Sequence, residues 1–292
     1  MSRIETPQPL DTTAKRRLDW ASAALYLLIA VLLVPFVFPL WWMVTSSLKT
    51  VSEVFAFPPV LWPTDPQWSN YARIFELQPF ALQYFNSLYI ALLVTTGVLL
   101  ISSMAGYAFA RVRFPGASVL FLVLLGGLLV PREVIIIPLF QMMNQAGLID
   151  THVPLVVIPM FGAQSVFGTF LMRQFFLGLP KELEEAGRVD GLGRFGIFFR
   201  IAVPLATPAL AALTIITFLQ TWDMYLEPLV FLSTPDRFTL PLALTQFSDA
   251  YGGPIWNVQL AATTLMTFPV LLVFVLAQRQ FIQGIAQTGL KG

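Results

Sequence analysis

The stretch Leu179-Pro180-Lys181-Glu182-Leu183-Glu184-Glu185-Ala186-Gly187-Arg188-Val189-Asp190-Gly191 is a charged island between two apolar runs. Residues 151–172 before it and 201–222 after it contain no Lys, Arg, Asp or Glu. Runs of that length are membrane-span candidates, so the island reads as a loop between two spans. Its order is that of a short helix. Pro180 suits a first turn, where its missing N–H would be unpaired anyway. Glu182, Glu184 and Glu185 fall where the helix dipole favours negative charge, and Arg188 falls near the opposite end. Leu183, Ala186 and Gly187 share one narrow face of small and apolar residues. Gly191 and Gly193 break the helix, and a second short helix over Arg194–Arg200 is expected to lead into the next span. A solvated loop that obeys capping rules would look similar. The small face with charges beside it favours a surface on which another protein docks.

Composition agrees with a membrane setting. The chain is 57% apolar and 11% charged, with mean hydropathy +0.74. An average soluble domain is about 25% charged. A polytopic, all-α membrane protein is therefore expected. The net charge of +1 gives no electrostatic footprint for nucleic acid. With no cysteine and a single histidine, His152, the chain offers no disulfide, thiol nucleophile, histidine-based zinc site or Ser-His-Asp triad. No metal site is expected. Lys15, Arg16 and Arg17 precede a charge-free run over 20–48. It is longer than the about 7–15 residues of a signal-peptide apolar region, so an uncleaved first span is expected.

Charge-free windows occur at 20–48, 77–110, 114–131, 134–149, 151–172, 201–222 and 250–278. Six make good spans. Window 134–149 is short and holds Pro138, Gln141, Asn144, Gln145 and Gly147. It reads either as a continuation of the third span past a break at Pro131 or as a re-entrant piece, which protein or a watery cavity must cover. Six spans with the amino terminus inside place all but Lys49, Arg73, Arg132 and Arg237 of the 17 Lys and Arg residues on the cytoplasmic side. A seventh span would move the island outside. The expected plan is a cytoplasmic tail over 1–19, a first transmembrane helix over 20–45 and an external loop over 46–83. A five-helix core follows over 84–283, with a cytoplasmic loop at 176–200 and a tail over 284–292. In the external loop, Pro58, Pro59, Pro63 and Pro66 forbid a continuous helix. Ser69 is a candidate cap for a short helix through Glu76. This loop reads equally well as an interfacial segment or as a surface for an external partner. Residues 223–249 form a second external segment.

The island also carries a resemblance. Glu185-Ala186-Gly187, then Gly191, then Ile201-Ala202-Val203-Pro204 is similar to a loop of the integral-membrane subunits of bacterial binding-protein-dependent ABC importers. That loop is patterned Glu-Ala-Ala, three residues, Gly, nine residues, Ile-x-Leu-Pro. The spacing matches, with Gly187 in place of the second Ala and Val203 in place of Leu. Asn86-Ser87, the turn Arg113-Phe114-Pro115-Gly116, the Trp222-Asp223 segment and the tail from Gly284 to Gly292 extend the resemblance over most of the chain. They resemble the carbohydrate class, in particular the maltose-type second permease subunit.

The resemblance implies a type I importer fold of six transmembrane helices with both termini cytoplasmic. It implies that the island is a coupling helix seated on a separate ATPase. Glu185 would be the acidic contact, Ala186 and Gly187 would permit close approach, and Gly191 would make the turn. Asp190, Ile201 and Pro204 belong to the same set, and Gln287 and Lys291 in the tail are further ATPase contacts. The implied partners are a second permease subunit, two copies of the ATPase, an extracytoplasmic solute-binding protein and the lipid bilayer. ATP and Mg would be bound by the ATPase, with no cofactor in this chain. The residues agree independently, because a phosphate-binding loop needs Gly-Lys-Ser/Thr and none of Lys15, Lys49, Lys181 and Lys291 follows a Gly.

The implied function is sugar import, with a glycerol-phosphate or other polyol as the alternative solute. A candidate substrate pathway comprises Trp222, Asp223, Tyr225 and Glu227, with Gln141 and Asn144. An aromatic belt with structural carboxylates is the plainer reading of the first four. Arg132 and Glu133 read as a local ion pair. An ion-coupled carrier would need ionisable groups in mid-span, and the spans have none at their centres. A membrane enzyme would need a polar cluster that the sequence lacks.

Overall fold

The computed structural model describes residues 20–249 and 252–289, with side chains described up to Leu276. Among the described residues the chain is helical, apart from one isolated bridge between Ser248 and Pro254. Four stretches are long and apolar enough to cross a membrane, and two bent helix pairs bring the number to six. The six-span, all-α expectation therefore holds.

Helix α1 (Trp20–Ser47) spans 28 residues, or about 42 Å at 1.5 Å per residue. None of its apolar window is buried by this chain. Apolarity on every side is the mark of a span whose solvent is lipid or another subunit. Its carboxyl end is pinned by its own sequel. Lys49 is fully buried, with its ammonium 3.9 Å from the Trp42 ring centre. Short helix α2 (Val51–Val54) begins with a capping box between Thr50 and Glu53. In α3 (Ser69–Leu77), Asn70 donates to the carbonyls of Ser47 and Lys49 at 2.9 and 3.0 Å. Ser69 was the expected cap, but it lies inside the helix, and Trp68 precedes it without a side-chain cap. The segment after α1 is thus folded onto its own chain.

Helix α4 (Phe80–Arg111) is the central post. Small residues let the next long span approach it closely. A Cβ on Gly168 would lie 2.4 Å from Ser102 Oγ, and Ser102 donates to the Ser165 carbonyl at 3.1 Å. Helix α5 (Ala117–Gly126) continues through a 3₁₀ turn to Leu129. Val130, forced extended by the following Pro131, then breaks the path. Helix α6 (Arg132–Gln145) leaves at 99°. The pair is a span broken at Pro131 or a re-entrant loop, the two forms expected of window 134–149.

Span four is built from α7 (Val153–Phe161) and α8 (Ala163–Leu177), joined at Gly162. The island forms α9 (Glu182–Val189) and α10 (Arg194–Ile197). Pro180 lies two residues ahead of the first helical position rather than within the first turn. The short helix expected over 194–200 is present and runs on to Leu205. After α10 come a π-helical turn over Phe198–Ala202 and α11 (Val203–Leu205). A 76° bend at Ala206 precedes α12 (Thr207–Trp222), which is the span itself. Pro208 has no N–H for the Pro204 carbonyl, and the Thr207 hydroxyl takes that carbonyl at 2.7 Å. Ile201 and Pro204 thus belong to the loop side of the bend.

The segment over 223–249 holds α13 (Leu226–Phe231), a 3₁₀ turn over Pro235–Arg237 and α14 (Leu240–Leu244). Asn86 in α4 donates to the carbonyls of Asp236 and Phe238, and the Ser87 hydroxyl accepts from Leu240 N–H. The last span is α15 (Trp256–Gly289). Pro269 inside it leaves the Leu265 carbonyl without its helical donor, and the Tyr84 hydroxyl reaches that oxygen at 3.4 Å.

Candidate functional site

Helix α9 divides its residues between the chain's own core and open space. Gly187 is buried. A Cβ there would lie 2.7 Å from Ile201 Cδ1 and 3.4 Å from Ile197 Cγ1. The close approach expected of Gly187 is therefore made to the chain's own 194–205 segment. Ala186 is exposed, as are Leu183, Glu185, Val189 and Asp190. Val189 is 88% exposed and Phe195 on α10 is 73% exposed, both unusual for large apolar side chains beside a charged helix.

The end of α9 is a Schellman motif. Gly191, at φ +80°, donates to the Arg188 carbonyl at 3.0 Å, and Leu192 donates to the Gly187 carbonyl at 2.9 Å. The start is held by an ion pair that the sequence alone did not indicate. Glu184 Oε1 lies 3.3 Å from Arg111 Nε, and Glu184 Oε2 lies 3.8 Å from Arg188. Arg111 also donates to the carbonyls of Phe176 and Leu179 at the end of α8. Glu185, the next residue, turns outward and forms no salt bridge among the described residues. A cleft of about 800 Å³ lies between α9 and the loop after α4, lined by Arg111, Arg113, Lys181, Glu184, Glu185, Arg188 and Arg194 among others. Gln287 lies in α15 beyond the described side chains, and Lys291 lies outside the described residues.

The candidate pathway residues do not stay together. Trp222 is 1% exposed. It stacks on Phe218 at 5.6 Å and donates its indole N–H to the Met266 carbonyl at 3.2 Å. It is buried in the core of this chain. Asp223, Tyr225 and Glu227 line a surface cavity of about 370 Å³ with Arg132, Glu133 and Gln220. Gln141 and Asn144 are exposed further along α6 and are not part of its lining. The expected local pair of Arg132 and Glu133 is replaced by a pair across elements, Arg132 to Glu227 at 3.8 Å. The 99° turn at Pro131 is what brings α6 near α13.

A latch between the loop after α6 and the chain after α13 went unseen in the sequence. The Asp150 carboxylate accepts from the Ser233 and Thr234 N–H groups at 2.9 and 3.0 Å, and from the Thr234 hydroxyl at 2.6 Å. Arg237 pairs with it at 3.0 Å. The Thr234 hydroxyl and Ser233 N–H, with smaller help from Arg237, lower the carboxyl pKa from 3.8 to about 2. His152 bonds to the Arg237 carbonyl and to the Tyr89 hydroxyl. It is a fastener between segments.

Six apolar spans, with α7, α8 and α12 packed on α4 and a compact two-helix polar loop between the fourth and fifth, define an integral-membrane permease domain. The chain belongs to the family described as binding-protein-dependent transport system inner membrane component, whose model matches residues 97–287. It is 37% identical to the lactose transport system permease protein LacG of Rhizobium radiobacter, over 94% of this chain and 97% of that one. It is 36% identical to the arabinooligosaccharides transport system permease protein AraQ of Halalkalibacterium halodurans, over 88% and 91%. The sn-glycerol-3-phosphate transport system permease protein UgpE of Yersinia enterocolitica is 34% identical, over 90% and 94%. Among solved structures, a chain of a bacterial ABC transporter involved in import of the acidic polysaccharide alginate superposes with a TM-score of 0.76. It covers 90% of this chain and 98% of that one at 22% identity, so this likeness speaks for the fold alone.

Proposed function

We propose that this chain is one of two permease subunits of an ATP-driven sugar importer. In this reading α9 is the element through which a separate ATPase moves the membrane domain. One observation carries it. The island is tied to the core through Gly187 and Glu184, while Glu185, Ala186 and Val189 are left exposed. A merely solvated loop has no need of an exposed apolar face fixed so firmly to the spans.

The loop and both termini face the cytoplasm, as the distribution of Lys and Arg favours. Glu185 meets a basic group of the ATPase, and Ala186 allows contact. Asp190, Gly191, Ile201 and Pro204 shape the surface, and Gln287 and Lys291 contribute from the tail. The nucleotide and Mg²⁺ are held by two ATPase copies, and this chain hydrolyses nothing. Closure of those copies biases a two-state membrane domain between inward- and outward-facing forms. A second permease completes the pathway, and an extracytoplasmic binding protein delivers the solute.

A sugar fits the external cavity better than the polyol phosphate alternative. Glu133, Asp223 and Glu227 outnumber Arg132 on its wall. Carboxylates beside the Tyr225 ring suit hydroxyls and C–H faces and oppose a phosphate.

Glu185→Lys tests the coupling role. The variant complex is expected to reach the membrane and to lose ATP-dependent uptake, measured in vesicles with the binding protein present. Normal uptake by that variant would end the assignment.

A further inference from the structure

The side chain that fastens α9 to the core is itself the last residue of α4. Arg111 is almost wholly buried, with 8% of its side chain exposed, and Glu184 is 13% exposed. Its Nε and Nη2 reach the Phe176 carbonyl at 3.1 and 2.6 Å, and Nη2 also reaches the Leu179 carbonyl. The Phe176 oxygen, which also accepts from Leu179 N–H at 3.2 Å, lies in the last turn of α8, and the Leu179 oxygen lies just past it, where a cation is favoured. The same guanidinium meets Glu184 in the first turn of α9. A planar fork with five donors suits three acceptors at once, and a point charge would not. One side chain therefore closes the ends of two closely packed spans and holds the start of α9.

We propose that Arg111 is a positioning residue that makes α9, α4 and α8 move as one body, so that displacement of α9 reaches the external cavity. This rests on the coupling role proposed above for α9. The other tie, Gly187 against Ile201, leads toward α12 across a 76° bend. The Arg111 tie is polar and directional, and it reaches α4 and α8, both packed along α12, whose Leu219 and Gln220 line the cavity.

The chain has no cysteine, so Gln220→Cys on the cavity wall gives this subunit a single thiol. In the complete complex, with second permease, ATPase and binding protein, its labelling by an aqueous maleimide is compared before and after trapping with ATP, Mg²⁺ and vanadate. The parent is expected to change its labelling rate several-fold on trapping. Arg111→Gln, Glu184→Gln and the double variant are expected to trap nucleotide with little change, and the double should be no worse than either single. Glu184→Gln leaves the α8 carbonyls capped, so it decides the matter even if Arg111→Gln fails to assemble. A Glu184→Gln complex that shifts as the parent does overturns the joint and leaves the coupling role of α9 standing. A parent that traps vanadate without any change in labelling overturns the coupling role and the joint with it.

Discussion

Gly191 sits where only its lack of a side chain is required. At φ +80° it closes α9, and a Cβ there would meet nothing within 4 Å. The cost of an alanine is therefore backbone strain alone, about 1–2 kcal/mol. Gly191→Ala should speed amide exchange in residues 182–192 by about ten-fold. Gly191→Asn, which tolerates the left-handed region, should do less. Equal exchange in all three proteins would contradict the turn's role. Glu184 and Glu185 show how far one residue's rotation matters. They are chemically identical neighbours, yet one is clamped between Arg111 and Arg188 while the other faces outward. Helical rotation separates them, and Arg111 selects between them.

At the scale of elements, the segments over 46–83 and 223–249 are held by buried apolar residues such as Ile74, Phe231, Leu240 and Phe247, and by a few polar side chains that fix their register. Asp150 joins the loop after α6 to the chain after α13. Its folded pKa of about 2 lies below the unfolded 3.8. Its contribution is therefore fully present above the unfolded value and is lost as pH falls through about 2. The latch should hold unchanged between about pH 4 and 8. Asp150→Asn should open it at every pH in that window, read as faster proteolysis near residues 233–237. Cleavage of the variant at the parental rate would remove the latch from the picture. These polar ties explain what the sequence concealed. The spans were legible because charge-free length is a local property, and the break at Pro131 because proline restricts its neighbour. The bend at Ala206 and the joint at Gly162 fall inside uninterrupted apolar runs, where length and charge carry no signal. Asn86 and Ser87 were recognisable as polar residues at the start of a span, but their partners at 236–240 depend on tertiary placement. Trp222 looked like part of a pathway because an aromatic beside a carboxylate has the same pattern at a binding surface and in a core.

For the whole molecule, six spans leave α1 with none of its apolar window buried by this chain. The proposed function makes the chain one member of an assembly, with the island as its point of contact with a nucleotide-driven partner. The absence of cysteine makes that contact directly measurable. Cysteine placed at Ala186, one exposed position of α9, should cross-link to the ATPase subunit in native membranes. Cysteine at the exposed external position Ser233 should not. The decisive result is a mixed product of this chain and the ATPase from Ala186→Cys alone, with cross-linking efficiency that changes on nucleotide trapping. A complex that assembles and transports but gives no such product from Ala186→Cys, or gives it equally from Ser233→Cys, would contradict the proposal that α9 is where ATP hydrolysis reaches the membrane domain.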